Sequence, residues 1–85
     1  WYRLAAEQGD ADAQFNLGIK YGLGDGVLQS NVMAHMWSNI ASANGDNEAG
    51  ELRAFLTKRM SQADISKAQQ MASECMSSNY QNCGW

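Results

Sequence analysis

The sequence predicts an all-α chain of about five helices, and three observations carry that prediction. Proline is absent, and alanine supplies much of a hydrophobic fraction of 45%, a composition that suits closely packed helices better than sheet. Apolar residues recur at three- and four-residue steps along most of the chain, the period of one helix face. Sliding the chain by 36 places aligns Trp1 with Trp37, Ala5 with Ala41, Gly9 with Gly45, Asp10 with Asp46 and Ala13 with Ala49, five identities in thirteen positions. A repeat of that length is the signature of stacked helix-turn-helix units.

The elements follow in order. Trp1, Leu4, Ala5 and Gln8 share a helical face, and Gly9 stands where a helix C-terminus wants left-handed backbone angles. Asp10 and Asp12 open the next helix, their charge meeting the positive end of the backbone dipole, and Ala13, Leu17 and Tyr21 form its buried stripe. Gly18, beside that stripe, lets a neighbouring helix approach closely. The run Gly22-Leu23-Gly24-Asp25-Gly26-Val27 holds three glycines in five residues, too costly in backbone entropy for a helix interior, and is expected to be the loop between paired helices, with Val27 plugging its base.

Ser30 is the expected N-cap of a helix from Asn31 to about Ala43, whose apolar side holds Met33, Ala34, Trp37, Ile40 and Ala41, and Gly45 closes it. Asp46, Asn47, Glu48, Ala49 and Glu51 give another acidic helix start, but Arg53, Ala54 and Thr57 stand 36 places after Leu17, Gly18 and Tyr21, and no glycine-rich loop follows. Instead Ser61-Gln62-Ala63-Asp64 reads as a capping box. It opens a last helix over Gln62 to Ser77, with Ile65, Ala68, Ala72 and Cys75 on one side and Lys67, Gln70 and Glu74 on the other.

Composition excludes several function classes. Six basic residues, scattered rather than clustered, stand against nine acidic ones for a net charge of −3. Nucleic-acid phosphates and anionic lipid surfaces both require a basic face, so neither partner is expected. No run approaches the roughly 18 apolar residues of a membrane span, and the first residues do not have the form of a signal peptide. Because Trp1 already lies inside an apolar stripe, the chain reads as the C-terminal piece of a longer protein.

With these residues in place, the chain resembles the Sel-one-like repeats, relatives of the tetratricopeptide repeats. The motif runs Ala13, Leu17-Gly18, Tyr21, Gly24, Gly26-Val27, Ser30, Ala34, Trp37, Ala41 and Gly45. It departs from the family only slightly, with Ser30 where Asp is usual and Ser42 where Ala is common. The resemblance implies antiparallel helix pairs stacked into a right-handed superhelical solenoid, first helices lining a concave face, and a role in binding other proteins. The expected division is the end of a preceding repeat at 1–9, one complete repeat at 10–45, a degenerate closing helix pair at 46–78 and a tail at 79–85. The closing helix covers one apolar edge of the stack. Trp1, Tyr2 and Leu4 leave the leading edge open for a second copy, so a homodimer through that edge is a second expectation.

Few residues invite chemistry. Cys75 and Cys83 would lie about 12 Å apart along a continuous helix, whereas a disulfide needs α-carbons about 4.4 to 6.8 Å apart. Two readings stand. Either the chain turns back through Ser77-Ser78-Asn79, with Asn82 and Gly84 nearby, and bridges the pair, or Cys75 is buried and Cys83 stays free on the tail. Exported members of the resembling family carry cysteine pairs closing the last helix, so the resemblance favours the bridge and a bacterial periplasmic or secreted location; reduced cysteines would instead fit the cytoplasm. His35 has no Cys or carboxylate at ligand spacing, and its expected place is on a helix surface or between helices. No signature joins it to Cys75 as base and nucleophile. The glycine-rich loop lacks the Gly-Lys-Ser/Thr ending of a phosphate cradle. Trp1, Trp37, Met33 and Met36 suit a core better than a ligand cage.

No cofactor, metal or catalytic residue is therefore expected, and the chain is read as a non-enzymatic scaffold that binds a peptide or protein on its concave face. The residues singled out for that contact are Phe15, Asn16, Ile19, Lys20 and Phe55. For Phe15 and Ile19 the competing reading is packing against the adjoining first helix near Leu52 and Phe55. Competing functions are a hydrolase or small-ligand enzyme using His35 or the acids, and a purely structural end cap.

Overall fold

The computed structural model describes residues 2–24, 29–81 and 83, without the side chains of Tyr2 and Arg3. The expectations for Trp1, Asp25, Gly26, Val27, Asn82 and Gly84 lie outside this set. Among the described residues there are five helices and no strand: α1 (Tyr2–Glu7), α2 (Ala11–Leu23), α3 (Asn31–Ala43), α4 (Asn47–Thr57) and α5 (Gln62–Ser77).

Four of the five begin at a capping side chain. Asp10 accepts from the amides of Asp12 and Ala13 at 3.0 and 3.3 Å, Ser30 from Met33 at 3.1 Å, Asp46 from Ala49 at 3.1 Å, and Ser61 from Asp64 at 3.2 Å. Each bond satisfies a backbone donor that the first helical turn leaves open, a contribution of about 1 kcal/mol per cap.

The glycine-rich stretch corrects one expectation. Gly22 and Leu23 are not loop but the end of α2, and the helix stops at Gly24, which takes a left-handed φ of 72°. The reason is tertiary: a Cβ at Gly22 would lie 3.7 Å from that of Ala34, so the last turn of α2 rests on α3 and that packing outweighs the low helix propensity of glycine.

At the centre sits α3. Ala34, Met36, Trp37, Ile40 and Ala41 are fully buried, and burial of Met36, Trp37 and Ile40 contributes about 1.5–3 kcal/mol each. Helices α2, α4 and α5 pack on α3, while α1 packs on α2. Gly18 faces α3 at the closest approach, where a Cβ would fall 3.0 Å from Ser38 Oγ and 3.3 Å from the Ala34 carbonyl oxygen.

Helix α5 buries Ala68, Ala72 and Cys75 and exposes Lys67, Gln70 and Glu74, as its spacing predicts, with Ile65 half-buried at the edge. Beyond it the chain reverses. Asn79 and Tyr80 both adopt positive φ, 57° and 65°, and the Tyr80 amide donates to the Cys75 carbonyl at 2.8 Å. A left-handed tyrosine costs about 1–2 kcal/mol. The reversal brings Cys83 to Cys75, and the two form a disulfide with α-carbons 4.4 Å apart. Of the two readings of the cysteines, the bridge is the one found. The Tyr80 ring lies beside Gly9, in the turn between α1 and α2, and its hydroxyl accepts from Asn44 at 3.1 Å.

Candidate interaction groove

Because α2 and α4 both rest on α3, the space above α3 is open between them. It holds a groove of about 180 Å³ lined by Gly18, Ile19, Gly22, Leu23, Ala34, Leu52, Phe55 and Leu56. Buried Gly18, Ala34 and Leu56 form its floor together with Gly22. The two glycines, four residues apart on α2, keep the floor low by placing no side chain in it. Ile19 and Leu23 wall one side, Leu52 and Phe55 the other. Leu23 is 74% exposed and Phe55 52% exposed, so large apolar surface stands at the rim.

Such a lining offers dispersion and apolar burial, and no acid, base or nucleophile stands in it. At about 30 Å³ per liquid water, the volume suits one large apolar side chain. A charge stands at the rim: the guanidinium carbon of Arg59 lies 4.5 Å from the Phe55 ring centroid, a cation–π geometry.

Of the residues expected to meet a partner, Ile19 and Phe55 line the groove. Phe15, Asn16 and Lys20 are half-buried on α2 and do not. Ile19, read alternatively as packing near Leu52 and Phe55, lines the groove together with both. The sequence reading missed Gly22 and Leu23, assigned to a loop, and the place of Gly18 in the floor, which it assigned only to helix packing. Their common signal is the spacing Gly18, Gly22 with Ile19, Leu23: one smooth strip and one apolar strip side by side on α2.

His35 is buried between α3 and α4, 2% exposed, with Nε2 3.0 Å from Thr57 Oγ1. The interhelix placement holds and the surface one does not. Thr57 donates its own proton to the Arg53 carbonyl at 2.8 Å, so it accepts from His35, which fixes the Nε2–H tautomer. Nδ1 is then a buried lone pair without a hydrogen-bond partner among the described residues. Burial lowers the His35 pKa, and Arg53 lowers it further; both favour the neutral ring. Cys75 is bridged and offers no thiolate to a His35 base. Met36 and Trp37, considered for a ligand cage, are fully buried core residues, and Met33 packs against them.

Among the described residues no three of His, Cys, Asp and Glu gather closely enough to hold a metal ion, and no helix is long and apolar enough to cross a membrane. The bridge fits an oxidising environment.

Helices packed pairwise in this order define an α-helical repeat fold. The Sel1 repeat model matches residues 1–10 and 11–46, more than half of the chain, and the chain belongs to that family. Sel1 repeats generally mediate protein–protein interaction, and their fold is typically non-enzymatic. No curated protein matches the chain.

Proposed function

We propose that this chain is a protein-interaction module that seats one large apolar side chain of a partner protein in the groove between α2 and α4. The observation that carries the reading is the pairing of an apolar groove of about 180 Å³ with two rim residues, Leu23 and Phe55, that remain more than half exposed. Exposed apolar residues that adjoin an apolar groove support an interaction site. Phe15, Asn16 and Lys20 extend the contact along α2 beyond the groove.

In the same reading, residues 46–78 close the repeat stack. The apolar face of α5 lies on α3, and its other face is polar and exposed, which is what a terminal unit needs to end an array in water. The bridge between Cys75 and Cys83 supports a periplasmic or secreted setting.

Amide chemical-shift mapping tests the groove directly. Short capped peptides containing one Leu, Met or Phe should move the amides of Ile19, Leu23, Leu52 and Phe55. Shifts confined to α5 and the far side of α3 would remove the groove from consideration.

A further inference from the structure

We infer that the partner of the groove carries carboxylates beside its apolar anchor. This rests on the groove reading above and adds the chemistry of the flanking residues.

The inference starts from where the basic residues fall. The chain is acidic, at −3, yet four of its six basic residues, Lys20, Arg53, Lys58 and Arg59, lie on or directly after the two groove helices. The acids on those helices, Asp12, Glu48 and Glu51, sit in their first halves, with Asp25 two places after α2 in the sequence, whereas the groove is built from the second halves, Gly18 to Leu23 and Leu52 to Leu56. Arg53 is turned to α3, where it donates to Asn39 at 2.7 Å, so the basic residues that follow the groove are Lys58 and Arg59 at the end of α4.

Cations in a last helical turn also suit the backbone dipole, which accounts for Lys58 without any partner. Arg59 is different. Its guanidinium is held over Phe55, the most exposed residue of the α4 wall, and no carboxylate pairs with it among the described residues. A guanidinium so placed, without a carboxylate partner among the described residues, has N–H donors that can receive a carboxylate in the two-point geometry that arginine favours. An anchor side chain lying against Phe55 would bring its flanking residues to those donors. Acidic residues there gain the pair, and basic residues meet like charge.

Three acetylated, amidated probe peptides separate the terms: Gly-Glu-Phe-Glu-Gly, Gly-Lys-Phe-Lys-Gly and Gly-Glu-Ala-Glu-Gly. Each is titrated into the isotope-labelled chain at low salt. The acidic Phe peptide should bind at the groove on the order of fivefold more tightly than the basic one, and the difference should shrink in high salt. Arg59→Glu should reverse the preference while leaving the fold intact. Equal binding of both Phe peptides would overturn the carboxylate inference and leave the groove standing. Binding of the Ala peptide as tight as that of its Phe counterpart would overturn the anchor. If neither Phe peptide moves groove amides, the groove reading itself falls. Concentration-dependent broadening of those amides without peptide, with sedimentation giving a dimer, would make a second copy the occupant and remove the inference.

Discussion

Asn44 donates a 2.8 Å hydrogen bond from Nδ2 to Oε1 of Gln14, which is completely buried and thirty residues distant in the chain. Gln14 passes the link on, donating from Nε2 to the Ala6 carbonyl at 3.0 Å, and Asn44 also reaches Tyr80. One amide side chain inside α2 thus ties together α1, the end of α3 and the tail. A buried amide with both ends satisfied fixes helix register in a way that apolar contacts alone do not.

Breaking that tie should be costly. Asn44→Ala leaves Gln14 Oε1 buried and unpaired, and the unfolding free energy should fall by about 1–3 kcal/mol, read from the urea midpoint. Adding Gln14→Leu should recover part of the loss, because Ala6 keeps its bond from the Gly9 amide. A double variant as unstable as the sum of its singles would show that the two side chains do not act together.

His35 makes the fold sensitive to acid. Its folded pKa lies below the ordinary 6.5, so the unfolded chain takes up the proton first as pH falls. The stability it contributes is complete above about pH 6.5 and declines below it, until the folded ring also protonates. Chemical denaturation at a series of pH values between 7.5 and 5 should show this decline in the native chain, and His35→Leu should flatten it over the same interval.

The two glycines of the groove floor should respond to alanine with opposite signs. At Gly18 the new Cβ would fall 3.0 Å from Ser38 Oγ, itself pinned by a 2.7 Å bond to the Ala34 carbonyl, and overpacking should cost about 1–3 kcal/mol. At Gly22 the nearest atom is 3.7 Å away, an ordinary contact. Gly22→Ala should therefore stabilise the chain by about 0.5–1 kcal/mol through the unfolded state. Thermal melts of the two variants give the signs.

Reduction of the Cys75–Cys83 bridge should lower stability by about 2–3 kcal/mol, given the short loop it closes. In a chain this size that is a fall in Tm of roughly 10–20 °C. The Tyr80 hydrogen bond to Asn44 should weaken with it, since the reversed tail is then left to short-range bonds such as that of the Tyr80 amide to the Cys75 carbonyl. Near-ultraviolet circular dichroism of Tyr80, compared between the bridged chain and Tyr80→Phe, with and without reductant, reports that loss. An unchanged Tm on full reduction would rule out a stabilising latch.

Much of the architecture was legible beforehand. Helix starts are local events, each decided by one side chain and the amides two or three residues on, so Asp10, Ser30, Asp46 and Ser61 could be placed from spacing alone. The buried faces of α3 and α5 followed from periodicity, since a helix shows its apolar stripe in the order of its residues. The 36-residue spacing pointed to paired-helix repeats, and the motif from Ala13 to Gly45 carried the family resemblance.

What remained open depended on contacts between distant segments. Gly22 joins α2 because Ala34 lies beneath it. Gln14 is the core residue that polarity hides, acceptable in the interior only because Ala6 and Asn44 meet it there. The groove belongs to no single helix; it exists because α2 and α4 lean on α3 at a distance that leaves Ile19, Leu23, Leu52 and Phe55 facing a common space. Periodicity and capping are properties of neighbours in the chain, whereas a hollow is a property of neighbours in space.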